Sequence, residues 1–136
     1  MKLFVDTGGF IAAFNRSDQY HKITREYLQH LSGKEELFTS NYVIDEVITW
    51  LRMRIDHRTA VNFAEYVFES KILRVHYIDK DTESLAFKVF KKYSDKKFSF
   101  TDASSIAFLE HFRIRFVLGF DQEFKKLGYE LLPENH

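Results

Sequence analysis

Two short apolar segments of this chain each end directly in an aspartate. Leu3-Phe4-Val5 precedes Asp6, and Phe116-Val117-Leu118-Gly119-Phe120 precedes Asp121. Both segments lack polar residues, which is typical of strands buried on both faces of a sheet. Between them lie segments with the spacing of amphipathic helices, and strands that alternate with helices favour a parallel sheet covered on both sides. The sequence therefore predicts an α/β fold with a central, mainly parallel sheet.

The predicted elements follow one another without a linker or an internal repeat. Ser17 or Asp18 is the expected N-cap of the second helix and Gly33 its end, while Ser40 is expected to cap the third helix. Strands are predicted at residues 2–5, 36–39, 72–78, 115–120 and 129–132. Helices are predicted around residues 10–14, 23–31, 41–51, 60–68, 82–93 and 101–112, and from 122 onward.

The composition excludes several classes of protein. With 136 residues, the chain is expected to form a single domain over residues 1–136 with a sizeable core. Cysteine is absent, which excludes disulfides, thiolate zinc sites and thiol catalysis and fits a reducing cytoplasm. The formal net charge is zero, so no overall field attracts the chain to nucleic acid or membrane. We expect a soluble, cytoplasmic protein without a signal peptide or membrane span.

Four acidic residues lie where the predicted strands and helices would bring them together. Asp6 and Asp121 follow strands, and Glu46 and Asp102 lie early in predicted helices. The carboxyl ends of parallel strands face one crevice, in which ligands bind. Converging carboxylates repel one another unless divalent cations lie between them. The four acids therefore predict an oxygen-only Mg²⁺ or Mn²⁺ site.

Each acid also has a simpler structural interpretation. Asp6 and Asp121 are in position to be N-caps of the helices that follow them, and Asp102 is favoured by the helix dipole in a first turn. On the third predicted helix, Asp45 and Glu46 each lie about 130° from the centre of the apolar face, on opposite sides. Periodicity alone leaves open which of these two borders the crevice.

Basic residues and histidines give weaker indications. Basic side chains usually only solvate a surface, although some bind phosphate. The six histidines show no paired metal-ligand spacing such as H-E-x-x-H, and we expect them to be structural or surface residues. The cations that are candidates for phosphate contacts are Arg16, Arg52, Arg54, Lys96 and Lys97.

Taken in order, four segments of the chain resemble the PIN-domain nucleases, and especially the VapC toxins of prokaryotic toxin–antitoxin modules. The resemblance extends over essentially the whole chain, and each segment contributes one acid. In the second segment it selects Glu46 over Asp45. The segments are Phe4-Val5-Asp6-Thr7, Thr39-Ser40-Asn41-Tyr42-Val43-Ile44-Asp45-Glu46-Val47, Tyr93-Ser94-Asp95 leading to Ser99-Phe100-Thr101-Asp102-Ala103, and Leu118-Gly119-Phe120-Asp121 with Phe124.

The resemblance implies a three-layer α/β/α domain that acts as a metal-dependent endoribonuclease. Asp6, Glu46 and Asp102 are the implied Mg²⁺ or Mn²⁺ ligands, and Asp121 is a water-mediated or second-metal ligand. Direct hydrolysis of RNA by metal-activated water agrees with the absence of a nucleophilic cysteine. The residues expected to contact the substrate or to support the acids are Thr7, Ser40, Ser99, Arg52, Lys96 and Lys97.

The resemblance also implies a homodimer and a small antitoxin partner. A dimer would flank the acidic sites with basic residues, and the antitoxin's C-terminal segment would lie across the groove. One position departs from the family pattern. The family often has threonine or serine two residues before the fourth acid, where this chain has Gly119. A hydroxyl that could orient Asp121 or a water molecule is therefore missing.

Other functions are compatible with parts of the sequence. Phe4-Val5-Asp6-Thr7-Gly8 matches the aspartic-protease triplet, but that fold is nearly all β, and several segments here have helical periodicity. A phospho-receiver module would use Asp79 after a third strand, but its early acidic pair and its late lysine are not evident. Two further alternatives keep the PIN fold: a nuclease that processes cellular RNA outside any toxin module, and a non-catalytic domain that binds RNA or a partner.

Overall fold

The computed structural model describes residues 1–134, which are built around a five-stranded, all-parallel sheet. Its strands are β1 (Lys2–Val5), β2 (Glu36–Ser40), β3 (Leu73–His76), β4 (Phe116–Leu118) and β5 (Glu130–Leu132). They lie in the order β3-β2-β1-β4-β5, so β1 occupies the centre of the sheet. The predicted α/β fold is confirmed, and every strand pair is parallel.

Seven helices connect these strands within residues 1–134. None of them is long and apolar enough to cross a membrane. The helices are α1 (Thr7–Phe14), α2 (His21–Gln29), α3 (Asn41–Arg54), α4 (His57–Glu69), α5 (Lys80–Lys92), α6 (Phe100–Phe112) and α7 (Gln122–Lys126).

Alternate residues of β1 pack against helices on opposite faces of the sheet. Phe4 contacts Phe108 of α6, with the ring centroids 5.3 Å apart. The next residue, Val5, instead lines a cavity of about 380 Å³ together with Phe10 of α1 and Leu28 of α2. Since successive residues of a strand point to opposite faces, helices cover the sheet on both sides. The fold therefore has the three layers that the sequence predicts.

The end of β1 is held from both neighbouring strands. Val5 pairs with Leu118 of β4, and the Asp6 amide donates a hydrogen bond to the Leu118 carbonyl at 3.0 Å. On the other side, the buried Thr39 hydroxyl of β2 donates to the Val5 carbonyl at 3.0 Å. Asp6 consequently lies at a fixed point on the carboxyl edge of the sheet, next to Gly119.

Serine side chains define the start of two helices that carry candidate residues. Ser40 Oγ accepts a hydrogen bond from the Val43 amide at 3.2 Å at the start of α3. Ser99 Oγ accepts one from the Asp102 amide at 3.0 Å at the start of α6. These bonds satisfy amides that the first turn of a helix leaves without a backbone partner. The predicted capping role of Ser40 is confirmed.

The predicted limits of α2 are wrong. Neither Ser17 nor Asp18 is its N-cap, because Tyr20 occupies that position without a side-chain cap hydrogen bond. Asp18 instead accepts a hydrogen bond from the Tyr20 amide at 2.8 Å, which forms a turn before the helix. The helix ends at Gln29 and not at Gly33. A short polar side chain that bonds the backbone two residues later stabilises a turn in competition with a helix start.

Gly9 allows the first turn of α1 to approach β4 closely. A Cβ atom at this position would lie 2.3 Å from the Leu118 carbonyl oxygen and 2.4 Å from a methyl carbon of the same residue. Because such contacts cannot be accommodated without moving backbone, only glycine fits here. At the preceding Gly8, the nearest atom would be the Phe120 amide nitrogen at 3.8 Å, which is ordinary contact.

The two adjacent glycines make a matched pair for a stability experiment. Gly9→Ala should lower the free energy of unfolding by about 1–3 kcal/mol, because the added methyl group overpacks the β4 backbone. Gly8→Ala should be neutral or stabilising by roughly 0.5–1 kcal/mol, because alanine is the better helix former. Urea denaturation followed by circular dichroism measures both values, and an equal loss in the two variants would contradict the close approach.

Candidate active site

The Asp6 side chain is buried but is not used as a helix cap. It is only 3% exposed, and its Oδ1 atom has no hydrogen-bond partner in the described part of the chain. Asp6 occupies the N-cap position of α1, yet its side chain makes no cap hydrogen bond. Asp6 is therefore the N-cap residue by position, but its side chain does not act as a cap. A buried polar atom without a partner costs free energy, so its presence needs another explanation.

Glu46 borders the site, and Asp45 does not. The Thr7 hydroxyl donates a hydrogen bond to Glu46 Oε1 at 2.6 Å, which connects α3 to the first residue of α1. Glu46 is half-buried, whereas the Asp45 side chain is exposed. The structure thus places Glu46 at the crevice and leaves Asp45 exposed, and the Thr7 hydroxyl bonds directly to Glu46.

Asp102 is both a capping residue and a member of the acidic group. Its Oδ2 atom accepts a hydrogen bond from the Ser99 amide at 3.0 Å, which completes a reciprocal capping box. Burial raises the pKa of Asp102, and the charges of Asp121 and Glu46 raise it further, while the Ser99 hydrogen bonds lower it. The capping role of Asp102 is therefore compatible with a place in the acidic group.

Asp121 is the most exposed of the four acids. Its Oδ1 atom accepts a hydrogen bond from the Glu123 amide at 3.0 Å and caps the short helix α7. Its charge nevertheless raises the pKa of Asp6 and of Asp102, so Asp121 lies near both carboxyl groups. One carboxylate oxygen of Asp121 is thus occupied by the cap, and the residue stays accessible to solvent.

The four acids form one electrostatic unit around Asp6. Burial raises the pKa of the Asp6 carboxyl to about 8, and the charges of Asp102, Asp121 and Glu46 act in the same direction. Only the nearby Thr7 amide opposes this shift. In the absence of a cation, Asp6 is therefore largely protonated at neutral pH. Strongly shifted pKa values of this kind concentrate at functional sites.

The chemistry of the donor set fits a hard divalent cation. Within residues 1–134, no trio of His, Cys, Asp or Glu side chains already forms a closed metal cluster. The acids are near enough to raise one another's pKa, and their repulsion opposes closer approach. A cation would remove that repulsion and would satisfy the unpartnered Asp6 Oδ1. Carboxylate oxygens are the ligands that Mg²⁺ and Mn²⁺ prefer.

The predicted basic residues lie at different distances from the acids. Lys96 Nζ lies 3.9 Å from Glu123 Oε2, which places it beside the start of α7 and so beside Asp121. Arg52 lies in the last turn of α3, where its guanidinium contacts His57. Arg16, Arg54 and Lys97 are exposed. The structure therefore brings Lys96 close to the acidic group but directs Arg52 elsewhere.

Histidines have structural roles where their contacts are defined. His21 Nδ1 donates to the Ala12 carbonyl at 2.7 Å and fixes the start of α2 against α1. His76 packs its ring against Phe108 and Phe112 of α6. His136 lies outside the described residues 1–134.

Thr39 and Gly119 determine the position of Asp6. The sequence does not mark Thr39 as a site residue, and it marks Gly119 only for its missing hydroxyl. Thr39 was not a candidate, yet its buried hydroxyl holds the β1 carbonyl next to the site. The sequence signal for Thr39 is a threonine that directly follows the apolar pair Leu37-Phe38 in a predicted strand. At Gly119, a Cβ atom would lie 3.3 Å from Asp6 Cβ and 3.6 Å from Asp6 Oδ2. Gly119 thus lets the end of β4 pack directly against Asp6, in addition to lacking a hydroxyl.

The structure is incompatible with two of the alternative functions. The parallel, helix-covered sheet is not the nearly all-β fold that an aspartic protease requires. Asp79 follows β3, which is an edge strand, and its Oδ1 caps α5 by accepting a hydrogen bond from the Thr82 amide at 2.9 Å. Asp79 is thus remote from the centre of the sheet and engaged in a structural role.

Comparison with known families identifies the class of protein that this fold and acidic crevice define. The family model for the PIN domain matches residues 3–129, and the chain belongs to the PIN domain family. Among its relatives is the 23S rRNA-specific endonuclease VapC20 of Mycobacterium tuberculosis, which is 32% identical over 133 residues, or 97% of this chain and 99% of the relative. A VapC ribonuclease of Archaeoglobus fulgidus is 32% identical over 127 residues, or 91% of this chain and 80% of the relative.

Solved structures give the same result. The crystal structure of M. tuberculosis VapC20, described as a sarcin-ricin loop cleaving toxin, matches with a TM-score of 0.86 and 29% identity. That match covers 93% of this chain and 95% of the other. FitAcB from Neisseria gonorrhoeae matches with a TM-score of 0.70 at 12% identity over 96% of both chains, which is a likeness of fold alone.

The raised pKa of Asp6 predicts how the stability of the metal-free protein depends on pH. The folded state keeps a proton up to pH about 8 that the unfolded state releases near its ordinary value of 3.8. Between these values the unfolded state binds fewer protons, so the free energy of unfolding should fall as pH rises. The slope is at most about 1.4 kcal/mol per pH unit for one proton.

Urea denaturation in EDTA across this pH range measures the effect. Asp6→Asn, which cannot ionise, should reduce the slope to the part that Asp102 contributes and should be more stable than the wild type near pH 8. Parallel profiles for the two proteins would show that Asp6 is not the group responsible.

Proposed function

We propose that this chain is a divalent-metal-dependent, cytoplasmic endoribonuclease of the VapC type. The observation that carries the proposal is the buried Asp6 carboxylate, which has an unpartnered oxygen and is surrounded by the charges of three further acids. The relatives named as ribonucleases support the same activity. We also treat residues 1–136 as a single domain, because one connected core extends through the elements from β1 to α7.

Asp6, Glu46 and Asp102 are the residues that would hold Mg²⁺ or Mn²⁺. Asp121 would act through water or toward a second ion, because it is exposed and has one oxygen committed to the cap of α7. A bound cation supplies positive charge at the scissile phosphate and makes water a better nucleophile. The Asp6 carboxyl must release its proton when the cation binds, so affinity for the cation should increase toward pH about 8.

The remaining residues of the site hold the carboxylates in place. Thr7 donates to Glu46 Oε1 and leaves Oε2 available. The Ser99 amide donates to Asp102 Oδ2 and leaves Oδ1 available. Glu46 and Asp102 are thus each fixed through one oxygen, and the other oxygen of each can face a cation. Such orientation of metal ligands by neighbouring hydrogen bonds typically affects metal affinity by 10- to 100-fold.

RNA is the proposed substrate, and a small antitoxin is the proposed partner. The M. tuberculosis relative is described as a toxin that cleaves the sarcin-ricin loop, and a similar place in a toxin–antitoxin module is inferred for this chain. We further propose a homodimer, since a net-neutral chain with an acidic crevice must assemble its RNA-binding surface locally. Lys96, beside Asp121, is the basic residue best placed to contribute to that surface.

A non-catalytic PIN domain explains the site less well. Gly119 lacks the hydroxyl that the family often has, but its backbone packs against Asp6 and leaves the carboxylate in position. Keeping a buried carboxyl with a raised pKa and an unpartnered oxygen costs stability. A domain that only binds a partner gains nothing from that cost, because an asparagine would serve equally well.

Asp6→Asn tests the catalytic role of the central acid. The change removes one ligand charge at constant size, so cleavage of single-stranded RNA should fall by orders of magnitude while folding is retained. The wild type should cleave with Mg²⁺ or Mn²⁺ and lose activity in EDTA. A gel assay with end-labelled RNA measures cleavage and circular dichroism checks the fold; unchanged cleavage by folded Asp6→Asn would disprove the assignment.

The adjacent acids of α3 provide an internal control. Glu46→Gln should be nearly inactive, because it removes the carboxylate that Thr7 holds in the site. Asp45→Asn changes an exposed neighbour on the same helix and should keep most of the activity. Cleavage rates of the two variants in parallel decide between the residues, and the reverse ranking would place the wrong side of α3 against the crevice.

The proposed assembly is tested separately from the chemistry. Light scattering at micromolar concentration should give the mass of a dimer, and co-expression with the neighbouring gene should yield a complex that no longer cleaves RNA. A monomer that is active on RNA and lacks a small partner would instead favour a cellular RNA-processing nuclease.

A further inference from the structure

A shallow groove runs along α3 from the acidic site toward the end of the helix. We call it the Trp50 groove. It has a volume of about 420 Å³ and is lined by Asp45, Glu46, Thr49, Trp50, Met53, Arg54 and Thr101. It lies along α3 and the start of α6, and it is separate from the cavity between α1 and α2. A role for this groove in holding the substrate rests on the proposed function, because the substrate is that of the acidic site.

The Trp50 groove opens directly from the carboxylate crevice. Glu46 belongs to both, since it accepts the Thr7 hydrogen bond in the crevice and also lines the groove. Thr101 lines the groove and is the residue before Asp102. An RNA strand whose phosphate lies at the acids therefore has its neighbouring nucleotide within reach of the groove.

The side chains of the groove combine an apolar floor with polar groups at separate points. Trp50 is half-buried and packs against the core, so its indole is held rigidly with part of its surface exposed. Met53, in the last turns of α3, is 76% exposed. Thr49, Thr101 and the exposed Arg54 supply hydrogen-bonding groups. A nucleobase has matching chemistry, because it presents flat apolar faces and a polar edge.

The charge of the groove indicates which part of a nucleotide it accepts. Asp45 and Glu46 contribute two negative charges and Arg54 one positive charge, which leaves the lining at −1. A phosphate is repelled by such a surface, whereas an uncharged base is not. The phosphate then lies at the acids with their cation, and the base extends into the groove.

We propose that the Trp50 groove is the binding subsite for the nucleobase next to the scissile phosphate and that it sets the sequence preference of cleavage. An aromatic side chain holds a base by stacking, and neighbouring polar groups distinguish its edge. Trp50 provides the apolar surface, and Arg54 with the two threonines reads the base. The exposed Met53 covers the base from the solvent side.

Trp50 is the single tryptophan of the chain, so its fluorescence reports on this groove directly. Wild-type protein in EDTA is titrated with oligo(A), oligo(C) and oligo(U), while the anisotropy of labelled RNA measures total binding. Indole emission should change saturably along with anisotropy, and one base should bind several-fold more tightly than the others. The corresponding free nucleosides should compete, because recognition does not require the phosphate.

Variants with matched controls separate the groove from the rest of the surface. Met53→Ala and Arg54→Ala should each raise KM for RNA cleavage by roughly ten-fold with a smaller effect on kcat, and should broaden the choice of cleavage position. Trp50→Phe, which keeps an aromatic ring in the core, should do the same without unfolding. Phe68→Ala, at a residue that is 69% exposed on α4, and Arg58→Ala on the same helix should leave KM unchanged.

The outcomes distinguish this proposal from the one on which it rests. RNA cleavage with flat Trp50 emission and unchanged KM in the variants would overturn the base subsite and leave the ribonuclease function intact. Emission that depends on protein concentration and not on RNA would show that a second copy covers the groove, which also overturns the subsite. If the wild type neither binds nor cleaves RNA, both proposals fail.

Discussion

The hydrogen bond from the Asp6 amide to the Leu118 carbonyl joins the centre of the sheet to the part of the chain that completes the site. It continues the β1–β4 ladder by one residue beyond Val5 and brings the ends of the two strands together. Gly9 permits this arrangement because any side chain there would meet Leu118. Next to this junction, α3 and α6 begin at their serine caps. These starting points bring the acids of both helices to the same crevice.

The site combines two requirements that conflict in a protein interior. Burial protects Asp6 from water and positions it rigidly, but it also disfavours the charged form that a cation needs. The other acids increase the difficulty, because each adds repulsion at the same point. With the proposed cation, an arrangement that is unfavourable alone would become favourable, and folding stability and metal binding would be parts of one equilibrium.

The fold was largely predictable because apolar segments and capping residues are local signals. Short apolar runs locate the strands, and Ser40 marks the start of α3 as predicted. The start of α2 was not predictable, because Asp18 has the same local signal in a turn as in a cap. The position of Asp6 depends on Thr39 and Gly119, which are distant in sequence. Periodicity could not separate Asp45 from Glu46, since the difference arises only when α1 packs beside α3.

The order of the strands has a consequence for synthesis on the ribosome. β1 lies at the centre of the sheet, but β4, which must pair with it, is made after six of the seven described helices. A growing chain therefore carries Asp6, Glu46 and Asp102 before it has the strand that holds them together. A nascent chain of this topology therefore lacks the assembled acidic site. The acids can be held together only once β4 has left the exit tunnel and has paired with β1.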